Sequence, residues 1–467
     1  MSALRFLSPR PLFLLLVVLA ALWLAVLPPA GLSIVQARTL GIVLVTLVLW
    51  STGLVPGYLA SLLLFAVAII AHLATPEVVF AGFGSTAVWL IVSGFVIGSA
   101  IGISGWGARL AEAVGPVLMR SYPVLIGGLM AVSMLLGFVM PSSVGRAVVM
   151  VPIGMAIADR CGFGKGSNGR IAIASVLAIG CNVPSFAILP SNIPNMIFSG
   201  AAETIWQQHF GYMEYLVLHY PVMGVLKSAL AVVLILRLFP AEIGAPLPEA
   251  VRRLNEARPR DRAAEIRVAV VLLVTLALWV TDSLHGVNPA WVGLGTAIVL
   301  LMPGVGVVTP TAFKGSVDFG ILLFVTGALA LGAMVNGSGL GAMLGHKMEA
   351  ILPLGPGRDF VNFMSLTVMT MVTGLFSTVP GAPAVLTPMA QDLADVTGLS
   401  LPAVLMTQVV GFSSPIFPYQ VGPLVVAMQL SGEKIGALAR VTIPLALIAL
   451  VVLAPVDFLW WKLLGWI

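Results

Sequence analysis

The stretches GFVMPSSVGRAVVMVPIGMA, from Gly137 to Ala156, and GLFSTVPGAPAVLTPMA, from Gly374 to Ala390, decide the fold of this 467-residue chain. Both run through the same order of features: an apolar run, a pair of hydroxyl residues, a glycine, and a second apolar run closed by proline. Because the whole order recurs, we predict two copies of one broken helical hairpin, near residues 123–157 and 362–395.

Such breaks point to a binding site. An unpaired peptide group in hydrocarbon costs several kcal/mol, so a chain leaves helical geometry at membrane depth only where protein or a watery cavity receives its polar groups. Ser142, Ser143, Ser377 and Thr378 are residue types that cap helix N-termini, which attract anions. We therefore predict that these four residues bind a substrate. The alternative is a proline kink between packed helices.

Composition limits the fold class. Hydrophobic residues make up 59% of the chain and charged residues 9%, whereas an ordinary soluble domain has roughly 25% charged residues. We predict an all-α polytopic membrane protein with about 11 transmembrane helices of ~20 residues each. The arginines cluster at predicted membrane edges, which does not indicate nucleic-acid binding.

The chain divides into two similar parts. We predict an N-terminal transmembrane helix within residues 1–37, a first repeat over 38–239, an arginine-rich linker over 240–267, and a second repeat over 268–467. Each repeat contains one of the two hairpins. The lipid bilayer is therefore a partner of nearly the whole chain.

Charge predicts that the two repeats are inverted. The loop from Ala158 to Arg170, after the first hairpin, contains three basic residues, whereas its counterpart from Gln391 to Leu401 contains two acidic residues and none that are basic. By the positive-inside rule the first loop faces the cytoplasm and the second does not. We expect a multi-pass protein of the inner membrane, with a cytoplasmic N-terminus and linker and a periplasmic C-terminus.

A second pair of breaks follows the hairpins, at Ile188–Asn195 and Ile416–Pro423. Two prolines in each free backbone carbonyls that a helix would otherwise use. We predict two unwound transmembrane helices whose Asn192, Asn195 and Gln420 contribute to the substrate site. The alternative is that both breaks are loops at helix ends.

This organisation resembles the divalent anion/sodium symporter family of the larger ion transporter superfamily. The resemblance rests on the hairpin tips, the closing prolines and the Pro194-Asn195 pair. The family's tips carry Ser-Asn-Thr, where this chain has Ser142-Ser143-Val144 and Thr378-Val379-Pro380. The resemblance implies a homodimer and places sodium ions at the tips, at Ser142, Ser143, Thr378 and Gly381. No other cofactor and no bound metal are expected.

Arg146 departs most from the family pattern. An arginine at bilayer depth costs ~2.5–3.5 kcal/mol even on mild insertion scales, and a bound anion would offset that cost. We predict that Arg146 binds the substrate anion. A sodium ion ~5 Å away would be repelled by roughly 3 kcal/mol at an effective dielectric of ~20, so the first sodium site is expected to be lost or replaced. The alternative is pairing with Asp159 or a lipid phosphate at the cytoplasmic edge.

These observations predict a secondary transporter of a small anion, such as a dicarboxylate or sulfate, that works by an elevator or rocking mechanism, with sodium as a candidate coupling ion. A cation/proton antiporter is the first alternative, and Asp318 is the acidic residue that favours it. A membrane enzyme is the second. The five histidines form no zinc motif, and Gly411-Phe412-Ser413-Ser414 is a weak signal for a nucleophilic serine. No catalytic residue is predicted.

Overall fold

A computed structural model describes residues 9–29, 31–105, 117–245 and 261–467, and over these ranges the chain contains helices and no strand. Within them nine helices are long and apolar enough to span a membrane, and a tenth span arises if one bent pair is counted. Shorter apolar helices accompany them. The prediction of an all-α polytopic membrane protein is therefore confirmed.

Twenty-four α-helices cover most of the described residues. Those before the linker are α1 Pro9–Val26, α2 Ile34–Thr52, α3 Gly57–Ile70, α4 Pro76–Phe80, α5 Thr86–Ser104, α6 Tyr122–Val139, α7 Ser143–Arg160, α8 Asn168–Gly180, α9 Ile193–Trp206, α10 Tyr212–His219 and α11 Lys227–Leu238. Those after it are α12 Arg262–Val280, α13 Asp282–His285, α14 Pro289–Leu301, α15 Pro310–Ser316, α16 Phe319–Gly337, α17 Leu340–Ile351, α18 Asp359–Ser377, α19 Gly381–Leu386, α20 Ala390–Thr397, α21 Leu401–Phe412, α22 Gly422–Ser431, α23 Ile435–Ile448 and α24 Ala454–Leu463.

Two helix boundaries differ from the predicted ones, and capping residues explain where these helices begin. The first helix ends at Val26, and Ser33 starts the next one with a capping box that it shares with Gln36. The helix after the linker begins at Arg262, five residues before the predicted end of the linker, because the Asp261 carboxylate accepts hydrogen bonds from the first-turn N–H groups. The predicted regions 1–8 and 246–260 lie outside the described residues.

Each predicted hairpin consists of two helices joined by a short break. Helix α6 ends at Val139 and α7 begins at Ser143, while α18 ends at Ser377 and α19 begins at Gly381. In the second half the chain continues through α20 and then bends by 119° into α21. That each hairpin re-enters the membrane from one side stays a prediction.

The chain also leaves α-helical geometry at both predicted unwound segments. The first lies between Gly180 and Ile193 and contains two short 3₁₀ turns, and the second lies between Phe412 and Gly422 and contains one. The first break therefore starts earlier than its two prolines indicated.

The two halves pack through equivalent elements. Helix α5 packs against α14, and α3 packs against α16. Helix α7, the second arm of the first hairpin, packs against α22, whereas α19, the second arm of the second hairpin, packs against α9. The second arm of each hairpin thus packs against the helix that follows the unwound segment of the other half. Both hairpin tips are held close to the unwound segments by this packing.

Candidate functional site

A cavity of about 590 Å³ lies between α5, the first hairpin tip, the first unwound segment and the start of α16. Three of the predicted site residues line it: Ser142, Ser143 and Asn192. The backbone around the tip approaches α5 closely, because a Cβ atom on Gly94 would lie 2.9 Å from the Pro141 carbonyl oxygen. Glycine at that position allows the tip to form one wall of the cavity.

The start of α7 presents polar groups to this cavity. Ser142 is the N-cap residue, and its hydroxyl accepts a hydrogen bond of 3.1 Å from the Gly145 N–H. The N–H groups of Ser143 and Val144, in the first helical turn, have no acceptor within the helix, and both residues line the cavity. A helix N-terminus with free N–H groups favours an anion.

The guanidinium of Arg146 lies behind the tip and is fully buried. Its Nε donates to the Cys181 carbonyl oxygen at 3.0 Å, and its Nη1 donates to the Met140 carbonyl oxygen and to Ser191 Oγ, the latter at 2.9 Å. Its Nη2 donates to Ser143 Oγ at 3.1 Å and to the Ser191 carbonyl oxygen at 3.2 Å. All five N–H donors of the side chain therefore have protein acceptors.

Two serine side chains separate the Arg146 guanidinium from the cavity. Arg146 does not line the cavity, but Ser143 and Ser191, which accept its hydrogen bonds, both do. The alternative of pairing with Asp159 is not observed, because that carboxylate forms an ion pair with Arg170. That Arg146 contacts the substrate directly stays a prediction.

Amides and hydroxyls connect the first unwound segment internally. The amide nitrogen of Asn192 donates to Ser185 Oγ and to Asn182 Oδ1, both at 3.3 Å. The amide nitrogen of Asn195 donates to the carbonyl oxygens of Ser185 and Ile188, at 3.0 and 2.9 Å. Asn195 therefore holds the backbone of the break, and Asn192 is the one of the two that reaches the cavity wall.

The predicted residues of the second hairpin lie outside this cavity. Ser377 Oγ donates to the Thr373 carbonyl oxygen at 2.8 Å, as a helical serine commonly does. Gln420 Oε1 accepts from the N–H groups of Ile416 and Phe417, at 2.8 and 2.7 Å, and its own carbonyl oxygen accepts from Val379 N–H at 3.1 Å. Gln420 therefore holds the second break in shape and joins it to the second tip.

Thr378 has an unusual backbone. Its φ of 63° and ψ of 164° lie in a region that is essentially restricted to glycine. A β-branched residue there is strained. Gly381 lies three residues after Thr378 and was predicted to help bind a cation. It is the first residue of α19, and its backbone lies close to the Ser377 side chain.

Several residues of the site were not among the predicted ones. Ser191 and Ser185 have central positions in the hydrogen-bond network of the break. Ser99, Ser316 and Asp318 line the cavity. Asp318 had been considered only for the antiporter alternative. The double proline was the signal for Ser191, whereas no local pattern marks Ser99 or Ser316, since only the packing of α5 against α15 brings them to the cavity.

Comparison with known proteins agrees with this architecture. Residues 9–467 match the model of the sodium:sulfate symporter transmembrane region. The chain is similar to a membrane protein of Cupriavidus necator, with 24% identity over 95% of this chain and 91% of that one. It is also similar to the sodium-dependent dicarboxylate transporter SdcS of Staphylococcus saprophyticus, with 24% identity over 72% of this chain and 70% of the relative.

Solved structures share the fold. The Alcanivorax borkumensis YdaH transporter superposes with a TM-score of 0.56 at 17% identity, covering 98% of both chains. The Neisseria gonorrhoeae MtrF structure gives a TM-score of 0.56 at 15% identity, covering 95% of this chain and 97% of that one. The family match extends over almost the whole sequence, and the sequence relatives with a named activity are transporters of anions. The chain therefore belongs to the sodium:sulfate symporter family and is a membrane anion transporter rather than an enzyme.

Proposed function

We propose that this protein is a secondary transporter of a small dianion, a dicarboxylate or sulfate, and that the anion binds in the cavity at the first hairpin tip. The observation that carries the proposal is the uncompensated charge of Arg146. Within the described ranges no carboxylate pairs with this buried guanidinium, whose acceptors are all neutral oxygens. A buried charge without a counter-ion is costly, and an anion in the cavity would offset that cost.

This attraction makes a sizeable contribution to anion binding. An anion held by the Ser142 and Ser143 hydroxyls would lie ~6 Å from the guanidinium, where unit charges attract by roughly 3 kcal/mol at an effective dielectric of ~20. The free N–H groups of Ser143 and Val144 add hydrogen bonds that are stronger to a charged acceptor. The Asn192 amide supplies a further polar group at the cavity wall.

Arg146 also takes the place that a coupling cation would need in the first half. Its guanidinium is surrounded by carbonyl and hydroxyl oxygens of Met140, Ser143, Cys181 and Ser191, which are the ligand types of hard cations. Sodium binding at Ser142 and Ser143 is therefore excluded from this proposal. Thr378 and Gly381 remain the proposed positions for sodium in the second half.

The same contacts support alternating access as the proposed mechanism. The reciprocal packing of α7 with α22 and of α19 with α9 supports the proposed inverted repeats, which commonly move against one another around a central site. Arg146 ties the first tip to the unwound segment. The site therefore moves as one unit, by an elevator or rocking motion. The homodimer and the orientation in the inner membrane remain part of the proposal.

Uptake into proteoliposomes tests this function. We expect sulfate or succinate to enter, and Ser143→Ala to raise the apparent KM about tenfold, because it removes a hydroxyl from the cavity wall. Ser133→Ala is the matched control, since this buried serine donates to the Leu129 carbonyl oxygen within α6, accepts only a long contact of 3.8 Å from Cys181 Sγ, and does not line the cavity. Absence of uptake and of anion-induced thermal stabilisation for all anions of these classes would refute the proposal.

A cation/proton antiporter is the second candidate, because Asp318 lines the cavity. Its carboxylate accepts a hydrogen bond of 3.1 Å from the Ile321 N–H, as an N-cap residue of α16 does, and it is exposed. Asp318→Asn keeps a capping side chain and removes the charge. Anion transport by this variant supports the anion transporter, whereas cation-dependent proton flux that vanishes in it supports the antiporter.

A further inference from the structure

A second set of buried charged side chains lies away from the cavity. Lys227 begins α11 and is 1% exposed, and Asp457 in α24 is 0% exposed. The helix that contains Asp457 packs against the segment Tyr220–Leu226, which ends directly before Lys227. Ionisable residues at membrane depth are rare and mark ion or proton pathways. Neither residue lines the anion cavity.

Lys227 is connected to the second unwound segment. Its ammonium group donates to the Ser413 carbonyl oxygen at 2.7 Å and to Ser414 Oγ at 2.6 Å. These two serines directly follow the end of α21. They are the first residues of the break between α21 and α22. Pro423 at the far end of that break lines the anion cavity. A change in the contacts of Lys227 can therefore alter the position of a segment that contributes to the anion cavity.

Asp457 has few hydrogen-bond donors. Among the described residues neither carboxylate oxygen has a partner within hydrogen-bond geometry, and the indole N–H of Trp461, one turn further along α24, is the donor that acts on this carboxyl group. A buried carboxylate is normally held in its charged form by several donors. Because Asp457 has no donor besides Trp461, its negative charge depends mainly on Lys227, and a proton can be accepted with little loss of hydrogen bonding.

The other titratable groups near the pair come from the elements packed against it. His219 and Tyr215 of α10 are buried, and the His219 ring lies 5.7 Å from that of Trp461 and 4.7 Å from that of Tyr215. His219 Nδ1 has no partner in the described ranges. The remaining groups are at least partly exposed and lie on the π-helical segment before α11 and on α18, α23 and α24: Tyr220, Asp359, Arg440 and Lys462.

Both helices of the pair carry the same irregularity. A π-helical segment, Tyr220–Leu226, immediately precedes Lys227, and another, Ala449–Leu453, precedes the helix that contains Asp457. π-Helical turns inside longer helices are rare and occur frequently at functional sites. The two charges thus occupy similar positions on the last helix of each half.

We propose that Asp457 and Lys227 form a proton-binding site that couples anion transport to a proton gradient, an inference that rests on the proposed function. A proton from water on one side adds to the Asp457 carboxylate, which leaves the pair with the single positive charge of the Lys227 ammonium. The same proton leaves to water on the other side, after which the charges of Asp457 and Lys227 again balance each other. The positively charged state is favoured when an anion occupies the cavity, so proton and anion travel together.

Proteoliposomes without sodium on either side test the coupling. We expect an inward pH gradient to drive uphill uptake of sulfate or succinate by the wild-type protein. Asp457→Asn lowers this uptake about tenfold or more but leaves anion exchange within about threefold, because exchange does not require the proton site to release its proton. Asp395→Asn, an exposed carboxylate on α20, is the control and keeps both activities.

The double variant Lys227→Met/Asp457→Leu separates coupling from structure. A buried ion pair that is only structural can be replaced by apolar residues without loss, so pH-driven uptake by a folded double variant would overturn the proposal. Insensitivity of the wild-type protein to the pH gradient, with exchange intact, would overturn it as well. Absence of exchange in the wild-type protein would instead refute the anion transporter itself.

Discussion

The guanidinium of Arg146 and the hydroxyl of Ser191 lie 2.9 Å apart, which joins the first hairpin to the first unwound segment. Ser191 Oγ in turn donates to the Gly137 carbonyl oxygen at 2.8 Å, back in the first arm of the hairpin. The charge of a single side chain thus fixes two breaks in the helical structure relative to each other. Their relative position also shapes the wall of the anion cavity, so this contact affects both stability and transport.

Replacing Arg146 by Met is expected to lower the melting temperature clearly. The substitution removes one donor from each of the carbonyl oxygens of Met140, Cys181 and Ser191 and leaves that of Cys181 unpaired, and an unpaired buried group costs about 1–3 kcal/mol. Thermal melting in detergent measures the effect. Arg146→Lys, which keeps the charge and up to three donors, is expected to lose less. Equal stability of the wild-type protein and the Met variant would contradict the described hydrogen-bond network.

Sodium distinguishes the proposed cation-replacing role of Arg146 from a purely structural one. In Arg146→Ala the vacated oxygens of Met140, Ser143 and Ser191 can receive a small cation, so sodium chloride is expected to raise the melting temperature of this variant above its value in choline chloride. The wild-type protein serves as the control, since its guanidinium already fills this position. A sodium response of equal size in both proteins would argue against this role.

Membrane orientation is predicted to differ between two equivalent loops. Lys165, after the first hairpin, and Asp395, after the second, are both exposed. We expect a membrane-impermeant maleimide to label Asp395→Cys in intact cells, and Lys165→Cys only after permeabilisation. The native cysteines should react slowly because Cys161 and Cys181 are both buried, and burial raises the pKa of the Cys161 thiol to about 11. Labelling of both loops from one side would contradict the inverted repeats.

The sequence predicts the helical class and the location of the breaks, because apolar runs and prolines act locally. It also identifies Ser142, whose capping role depends on a neighbour three residues away, and Ser143 directly after it. The contacts of Arg146 with Cys181 and Ser191 span 35 and 45 residues, and no local pattern encodes them. For the same reason the sequence does not show that the amides of Gln420 and Asn195 bond to the backbone of the breaks. That both residues also bind substrate stays a prediction.

Because the backbone of Thr378 is strained, replacing this residue by glycine is expected to increase stability but to decrease transport. A residue in this region of φ and ψ carries about 1–3 kcal/mol of strain, and glycine lowers stability by only about 0.5–1 kcal/mol through entropy. Thr378→Gly is therefore expected to raise the melting temperature, whereas Thr378→Ala keeps the Cβ atom and gives no gain. If the hydroxyl binds substrate or sodium, Thr378→Ser retains uptake better than either. A glycine variant no more stable than the alanine variant would exclude strain relief.

Two glycines on one face of α5 offer a matched test of the cavity wall. Both Gly94 and Gly98 line the cavity. A Cβ atom on Gly94 would lie 2.9 Å from the Pro141 carbonyl oxygen, whereas one on Gly98 would have only Met140 Cε within 4 Å, at 3.8 Å. Gly94→Ala must therefore displace the first hairpin tip, at a cost of about 1–3 kcal/mol.

Gly98→Ala meets no such obstacle and gains up to about 1 kcal/mol of helix propensity. The melting temperatures of the two variants are expected to move in opposite directions, down for Gly94→Ala and unchanged or up for Gly98→Ala. Because the tip supplies Ser142 and Ser143, the Gly94 variant should also lose anion-induced stabilisation. Equal melting temperatures for both variants would mean that the tip does not rest against α5 and that the cavity has another wall.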